Sequence, residues 1–147
     1  MKTIIIKFGG SSLADPGMIR RAAAMTLASR RRGFSPVAVV SAPANSTDDL
    51  LSLASLTGGQ ELSPRETDAL LAAGEQFSAA LLALAIEAEG GRAVSLTGFQ
   101  AGILTDENFS AASVKSVDPR RLKKELKAAR IPVVAGFQGI SPGGNIT

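Results

Sequence analysis

The 147-residue chain has no cysteine and no histidine, and its aromatic residues are six phenylalanines with neither tryptophan nor tyrosine. The lack of cysteine excludes disulfides and thiolate metal sites. The lack of histidine removes the commonest metal ligand and the usual neutral-pH general base. Any chemistry must rest on lysine, carboxylates, hydroxyls and backbone dipoles, and no metal site is expected. So few aromatic rings leave little for nucleobases to stack on, so nucleic acid is not an expected partner. An uninterrupted apolar run able to cross a bilayer is also lacking. The apolar start Ile4-Ile5-Ile6 is too short for a secretory core. No membrane partner and a cytoplasmic location are the expectation.

What is present has the balance of an ordinary globular domain: 45% hydrophobic, 20% charged, net charge +3. The length suits one domain with a sizeable core. Four short runs rich in Ile and Val, residues 3–8, 36–41, 93–97 and 131–135, read as parallel strands covered on both faces. Between them lie helical stretches. Asp15-Pro16, Ser63-Pro64 and Asp118-Pro119 each put a capping side chain before a proline at a helix start. Ser63-Pro64-Arg65-Glu66 fits a capping box, and Gly33 and Gly90-Gly91 supply stops. The basic groups Arg30-Arg31-Arg32 and those from Arg120 to Arg130 are expected near helix C-terminal ends. The alternation predicts an α/β fold: an open, mostly parallel sheet with helices on both faces and right-handed crossovers.

The residues just past the predicted strands are Gly9-Gly10-Ser11, Ser41-Ala42-Pro43, Gly98-Phe99 and Gly136-Phe137. Small and hydroxylic groups therefore gather at the carboxyl edge of the sheet, where open α/β folds bind ligands. Turns need glycine in any case. In Lys7-Phe8-Gly9-Gly10-Ser11-Ser12, two glycines let backbone N–H groups approach an anion, and Lys7 ends an apolar strand. The stretch is neither a Walker A loop nor a dinucleotide fingerprint. Its bland alternative is a lysine reaching from a strand end to solvent. Ser41 through Asp49 leads into a helix N-terminus suited to a carboxylate, although Ser46 or Thr47 could be a plain N-cap. Glu75 shares a helix face with Leu71 and Leu82, beside a Gly74 that leaves room for an approaching group. An ammonium would satisfy Glu75, and so would an internal pair with Arg92. The 120–130 helix, with Leu122, Leu126 and Ala129 on one face, reads as a solvated amphipathic helix.

Taken together, these stretches resemble the aspartokinases, within the wider amino-acid-kinase family. The matching segments are Lys7-Phe8-Gly9-Gly10-Ser11-Ser12, Ser41-Ala42 with Thr47-Asp48-Asp49-Leu50-Leu51, and Gly74-Glu75-Gln76-Phe77-Ser78. Thr97 to Ile103 and Val134-Ala135-Gly136-Phe137-Gln138-Gly139 complete the set, in order along the chain. The resemblance implies an αβα sandwich of which residues 1–147 form the N-terminal, substrate-binding part. The nucleotide-binding half and regulatory domains would lie beyond it, leaving the sheet incomplete with an exposed edge. It further implies ATP-dependent phosphorylation of the β-carboxylate of aspartate, with MgATP as phosphoryl donor and a homo-oligomer in the full-length family. In that reading Lys7 is catalytic at the transferring phosphoryl group, and Lys7, Phe8, Gly9, Gly10 and Ser11 line the ATP phosphates. Ser41 and Thr47 bind aspartate, and Glu75 receives its ammonium. Pro43 and Phe77 depart from the family pattern but keep its apolar bulk. The chain stops at Asn145-Ile146-Thr147 before the family's Gly-Arg-Gly-Gly-Ser-Asp run, so the isolated chain is expected to be inactive. The alternatives are an amino-acid-binding subunit that needs a second chain, and a glutamate or carbamate kinase of the same fold.

Overall fold

A computed structural model describes residues 2–147. Its core is a four-stranded, all-parallel sheet in the order β1-β2-β6-β3. The strands are β1 (Lys2–Phe8), β2 (Phe34–Val40), β3 (Ala93–Leu96) and β6 (Ile131–Ala135). Helix α1 (Pro16–Arg31) connects β1 to β2, and α2 (Ser46–Gly58) and α3 (Pro64–Ala88) connect β2 to β3. Between β3 and β6 lie a hairpin, β4 (Ile103–Thr105) and β5 (Val114–Val117), and the short helix α4 (Arg120–Lys127).

Strand alternation sorts the side chains into two layers. Phe8, Ala38, Val40, Ile131, Val133 and Ala135 join residues of α1 and α3 in the main core. On the other face Val37 and Val134 join Ala101, with Val39, Ile103, Leu122 and Leu126 packed around them. Helices thus lie on both faces, as the sequence predicts, but the second face is covered unevenly. Strand β6 is buried throughout, whereas edge strand β1 leaves Ile5 73% exposed. The expectation that every strand is covered on both sides fails there. Leu82 and Ile86 are fully buried, each contributing roughly 1.5–3 kcal/mol by leaving water. Among the described residues α3 is the helix long and apolar enough, by length and composition, to cross a bilayer. Its Ala79, Leu82 and Ile86 are instead spent on this core.

The helix starts follow the sequence grammar unevenly. Asp15 caps α1 as expected, its Oδ1 accepting from the Met18 N–H at 2.9 Å. The Ser63 side chain makes no cap bond. Arg65 Nη1 takes the Glu66 carboxylate at 2.6 Å, so the reciprocal capping box does not form. At α4, Pro119 precedes the first helical residue, and Asp118 instead accepts from the Arg120 N–H at 3.0 Å. Ala129 lies past the helix with φ 56°, outside the apolar face predicted for it. The basic residues of α1 do sit in its last turn, while α4 also carries Arg120 and Arg121 at its start, against the macrodipole.

The hairpin was not foreseen. Its strands are only 3 and 4 residues long, and no two-residue turn signal marks it. The loop between them is organised by Asp106, which accepts from the Asn108 and Ser113 N–H groups and pairs with Lys115 at 2.9 Å. The Lys115 hydrogen bond, with the Ser113 N–H next, holds that carboxyl below its ordinary range. Residues 138–147 are stitched onto β4. Ile140 bridges both Leu104 and Ile146, and the hydroxyls of Thr105 and Thr147 meet at 2.6 Å.

One carboxylate anchors α4. Glu125 is 1% exposed between two guanidinium groups, with Arg121 Nε donating at 2.6 Å and Arg130 Nη2 paired at 2.5 Å. Burial pushes its pKa up, but the Arg121 hydrogen bond and the Arg130 charge outweigh this and hold the carboxyl low. Its folded pKa is depressed, so the stability it contributes is present above the unfolded value and lost as pH falls through the folded one. Glu125→Gln is expected to cost about 2–3 kcal/mol, below the figure for a fully buried pair because both arginines reach solvent. Urea unfolding at neutral pH checks this. The gap to wild type should shrink as the pH is lowered below the ordinary carboxylate range.

Candidate ligand site at the carboxyl edge

The loops that follow β1 and β2 are locked to each other and to α3. Ser41 donates its N–H to the Phe8 carbonyl at 3.1 Å, and Ala44 donates to the Gly10 carbonyl at 3.1 Å. Gly10 is required by this contact: a Cβ there would stand 2.8 Å from the Ala42 carbonyl oxygen. Its small size therefore serves loop packing, where the sequence suggested approach to a phosphate. Gly9 differs, since a Cβ there would meet nothing within 4 Å. It precedes a single 3-10 turn, Gly10–Leu13, whose first N–H groups have no acceptor within the turn. Gly9 and the start of that turn are open to an approaching group.

Glu75 reaches the same place from α3. It is half-buried, and its Oε1 accepts the Ala42 N–H at 3.2 Å. The neighbouring Gly74 would place a Cβ 2.9 Å from the Ala42 Cβ and 3.6 Å from Leu50 Cδ1. The group for which Gly74 leaves room is thus the chain's own second loop. The alternative pairing of Glu75 with Arg92 does not occur among the described residues. Among the described residues only one oxygen of the Glu75 carboxylate is engaged, by a single hydrogen bond of 3.2 Å.

Helix α2 starts at this loop. Its N-cap is Asn45, neither Ser46 nor Thr47, and Asn45 has left-handed backbone (φ 69°) with no side-chain cap bond. Asp48 and Asp49 occupy the first turn. Thr47 is exposed at the second helical position and Ser41 is half-buried at the end of β2. The N-terminal donors of α2 therefore lack a capping acceptor from the N-cap side chain.

Lys7 lies at the same edge but starts from the other face. Ile6 and Phe8 pack into the main core beneath α1 and α3, so Lys7 projects oppositely and is exposed. It pairs in register with Val39, three residues before Ala42. Gly9, Gly10, Ser41, Ala42 and Glu75 are thus assembled into one unit, while Lys7 leaves the end of β1 on the opposite face of the sheet.

Sequence reasoning passed over Gln138. It is buried, its Nε2 donates to the Ala72 carbonyl at 3.0 Å, and its Oε1 accepts from Gly98 N–H at 3.3 Å and Gln76 Nε2 at 3.4 Å. Gly98 is obligatory opposite it, since a Cβ would fall 2.3 Å from the Gln138 carbonyl oxygen. This side chain ties the ends of β3 and β6 to the turn of α3 that carries Glu75. The adjacent Phe137 is 99% exposed with φ 56°. The run Gly136-Phe137-Gln138 carries no sequence signal for either property.

Glycine-rich and hydroxyl-bearing loops around a carboxylate thus lie at the carboxyl edge of an all-parallel sheet, where open α/β folds bind ligands. A model of the amino acid kinase family matches residues 2–147, and the chain belongs to that family. Aspartokinase of Mycobacterium tuberculosis is 46% identical over 141 residues, covering 96% of this chain and 33% of that protein. Aspartokinase 2 of Bacillus subtilis is 42% identical over 147 residues, covering the whole of this chain and 35% of that protein. The chain thus spans about a third of the length of the curated relatives it matches. The crystal structure of aspartate kinase from Synechocystis matches with TM-score 0.78 at 37% identity, over 95% of this chain and 22% of that one. E. coli aspartokinase III in complex with aspartate and ADP matches with TM-score 0.87 at 19% identity, over all of this chain and 43% of that one, a likeness of fold.

Gly74→Val tests the clamp on the second loop. Valine at this contact would force Ala42 away and break its bond to Glu75, at an expected cost of about 1–3 kcal/mol. Amide hydrogen exchange checks it: protection at Ala42 and Ala44 should fall, while the Val133 amide in β6 keeps its rate.

Proposed function

We propose that this chain supplies the substrate-binding part of an aspartate kinase, which transfers the γ-phosphoryl group of ATP to the β-carboxylate of aspartate. The observation that carries the reading is Glu75, a carboxylate held at the carboxyl edge by one backbone N–H. A carboxylate oxygen without a protein partner is free to accept a charge-assisted hydrogen bond from a cation. The ammonium of an amino acid is a cation of the right size. Named relatives in Mycobacterium tuberculosis and Bacillus subtilis support aspartate as that amino acid.

The reaction must bring a carboxylate against an already anionic phosphoryl group, so positioning and charge compensation dominate. Glu75 would hold the ammonium. Ser41 and Thr47, with the uncapped start of α2, would offer donors to the substrate's carboxylates. Lys7, at the end of β1, would neutralise charge on the transferring phosphoryl group, and the N–H groups at the start of the turn, Gly10 and Ser11 beside the open Gly9, would face the phosphates. No general base is needed, because a side-chain carboxyl with an ordinary pKa near 3.9 is ionised at neutral pH. That suits a chain without histidine. Among the described residues no three carboxylates converge, so the magnesium of MgATP would be carried by the phosphates. A cytoplasmic location, where ATP is available, belongs to the same reading.

Isothermal titration of the chain with aspartate is the direct test. Binding is expected, and Glu75→Gln should weaken it at least tenfold, roughly the 1.4 kcal/mol or more of a charge-assisted hydrogen bond. Glutamate should compete poorly. Hydroxylamine trapping of acyl phosphate with aspartate and MgATP should give no turnover above background for this chain alone. Aspartate binding that ignores Glu75→Gln would overturn the assignment of Glu75.

A further inference from the structure

A second concave surface lies away from the loops just described. It is a cleft of about 510 Å³ lined in part by Phe99, Gly102, Leu104, Arg120, Lys124 and Ile140. Gly102 creates its base: with φ 82° it comes so near the Asp118 carbonyl that any Cβ would overlap it, and the Asp118 N–H donates to the Gly102 carbonyl at 2.8 Å. The hairpin and the start of α4 are thereby held side by side. Phe99 and Leu104 are 62% and 42% exposed there. A shallower depression of about 390 Å³ continues along α4 between Arg120, Lys123, Lys124 and Lys127. The two share Arg120 and Lys124 and form one track.

The charge on this track accounts for the sign of the whole molecule. From Asp118 to Arg130 there are six basic residues (Arg120, Arg121, Lys123, Lys124, Lys127 and Arg130) against Asp118 and Glu125, a net +4. The whole chain is +3, so the remaining residues are net −1. Asp118 is taken by Arg120, and Glu125 by Arg121 and Arg130. Lys123, Lys124 and Lys127 have no ion pair among the described residues. Their ammonium groups project outward, because the apolar side of α4, Leu122 and Leu126, is spent on the second core layer.

We propose that this track is a docking site for an acidic protein segment that carries an apolar anchor. The anchor, a Leu or Phe side chain, would seat on Phe99, Leu104 and Ile140, and its flanking carboxylates would lie along Lys124, Lys123 and Lys127. Charge complementarity selects the sign of the occupant, and the apolar floor next to the lysines selects its chemistry. A nucleic acid fits less well, since the track offers a single aromatic ring, Phe99, for its bases to stack on. A bilayer fits less well again, since a membrane-surface helix must turn its apolar face to lipid, and that face of α4 is already buried. The site is independent of the kinase reading and would stand if that reading failed.

Fluorescence anisotropy of the 147-residue chain with a labelled peptide that alternates glutamate with leucine and phenylalanine tests the proposal. Binding is expected at about 0.05 M salt and should weaken several-fold at about 0.3 M as screening shortens the range of the charges. The Lys123→Glu, Lys124→Glu double variant should lose roughly tenfold or more, and Phe99→Ser should weaken binding with the charges intact. Lys2→Glu, a distant exposed lysine, should leave it unchanged. Circular dichroism melts confirm that the variants fold, and Lys127→Glu replaces any that does not. Failure to bind at low salt overturns the proposal, as does indifference to either the charge reversal or Phe99→Ser. Tighter binding of a single-stranded oligonucleotide or of phosphatidylglycerol vesicles would reassign the track to those partners.

Discussion

The loop from Ser41 to Ala44 is gripped from three directions, and the carboxyl edge takes its shape from that grip. The end of β1 holds it through the Phe8 carbonyl and the first glycine-rich loop through the Gly10 carbonyl, while α3 holds it through Glu75. The grip works because of atoms that are missing: side chains at Gly10 and Gly74 would collide with Ala42. Close approach of backbones shortens the distance over which donors and a carboxylate can act on one small molecule. It also fixes them before any ligand arrives, which lowers the ordering cost of binding.

The two part-buried or buried glutamates show how partner count separates structure from function. Glu125 is enclosed by two arginines and gains its stability from them. Its charge is consumed inside the fold. Glu75 has one backbone donor and a free oxygen, so its remaining hydrogen-bonding capacity is available to something that is not part of the chain. The same residue type is a staple in one helix and a candidate receptor in another, because of how many charged donors meet it.

Much of the architecture was legible in the sequence. The four core strands were read with errors of one or two residues, since apolar runs bounded by glycine and proline leave few alternatives. The Asp15 cap and the stops at Gly33 and Gly90 followed from local backbone chemistry. The hairpin β4–β5 was not legible, because strands of 3 and 4 residues carry no measurable period. Nor was the Ser63 capping box ruled out, since the diversion of Glu66 to Arg65 depends on rotamers. Gly74 was noticed for the right reason, namely that something must come close, but the neighbour proved to be Ala42.

By itself the sequence determined which core strands and long helices form and which side-chain chemistries this chain lacks, since strand runs, capping prolines and the absence of cysteine and histidine act locally or by simple exclusion. Tertiary structure decided which faces meet. It showed Lys7 leaving the sheet opposite Glu75, Gln138 bridging three elements, and the positive excess of the chain lying along one cleft beside Phe99 and Leu104. These facts depend on residues separated by tens of positions being brought within a few ångströms, and only packing sets those distances.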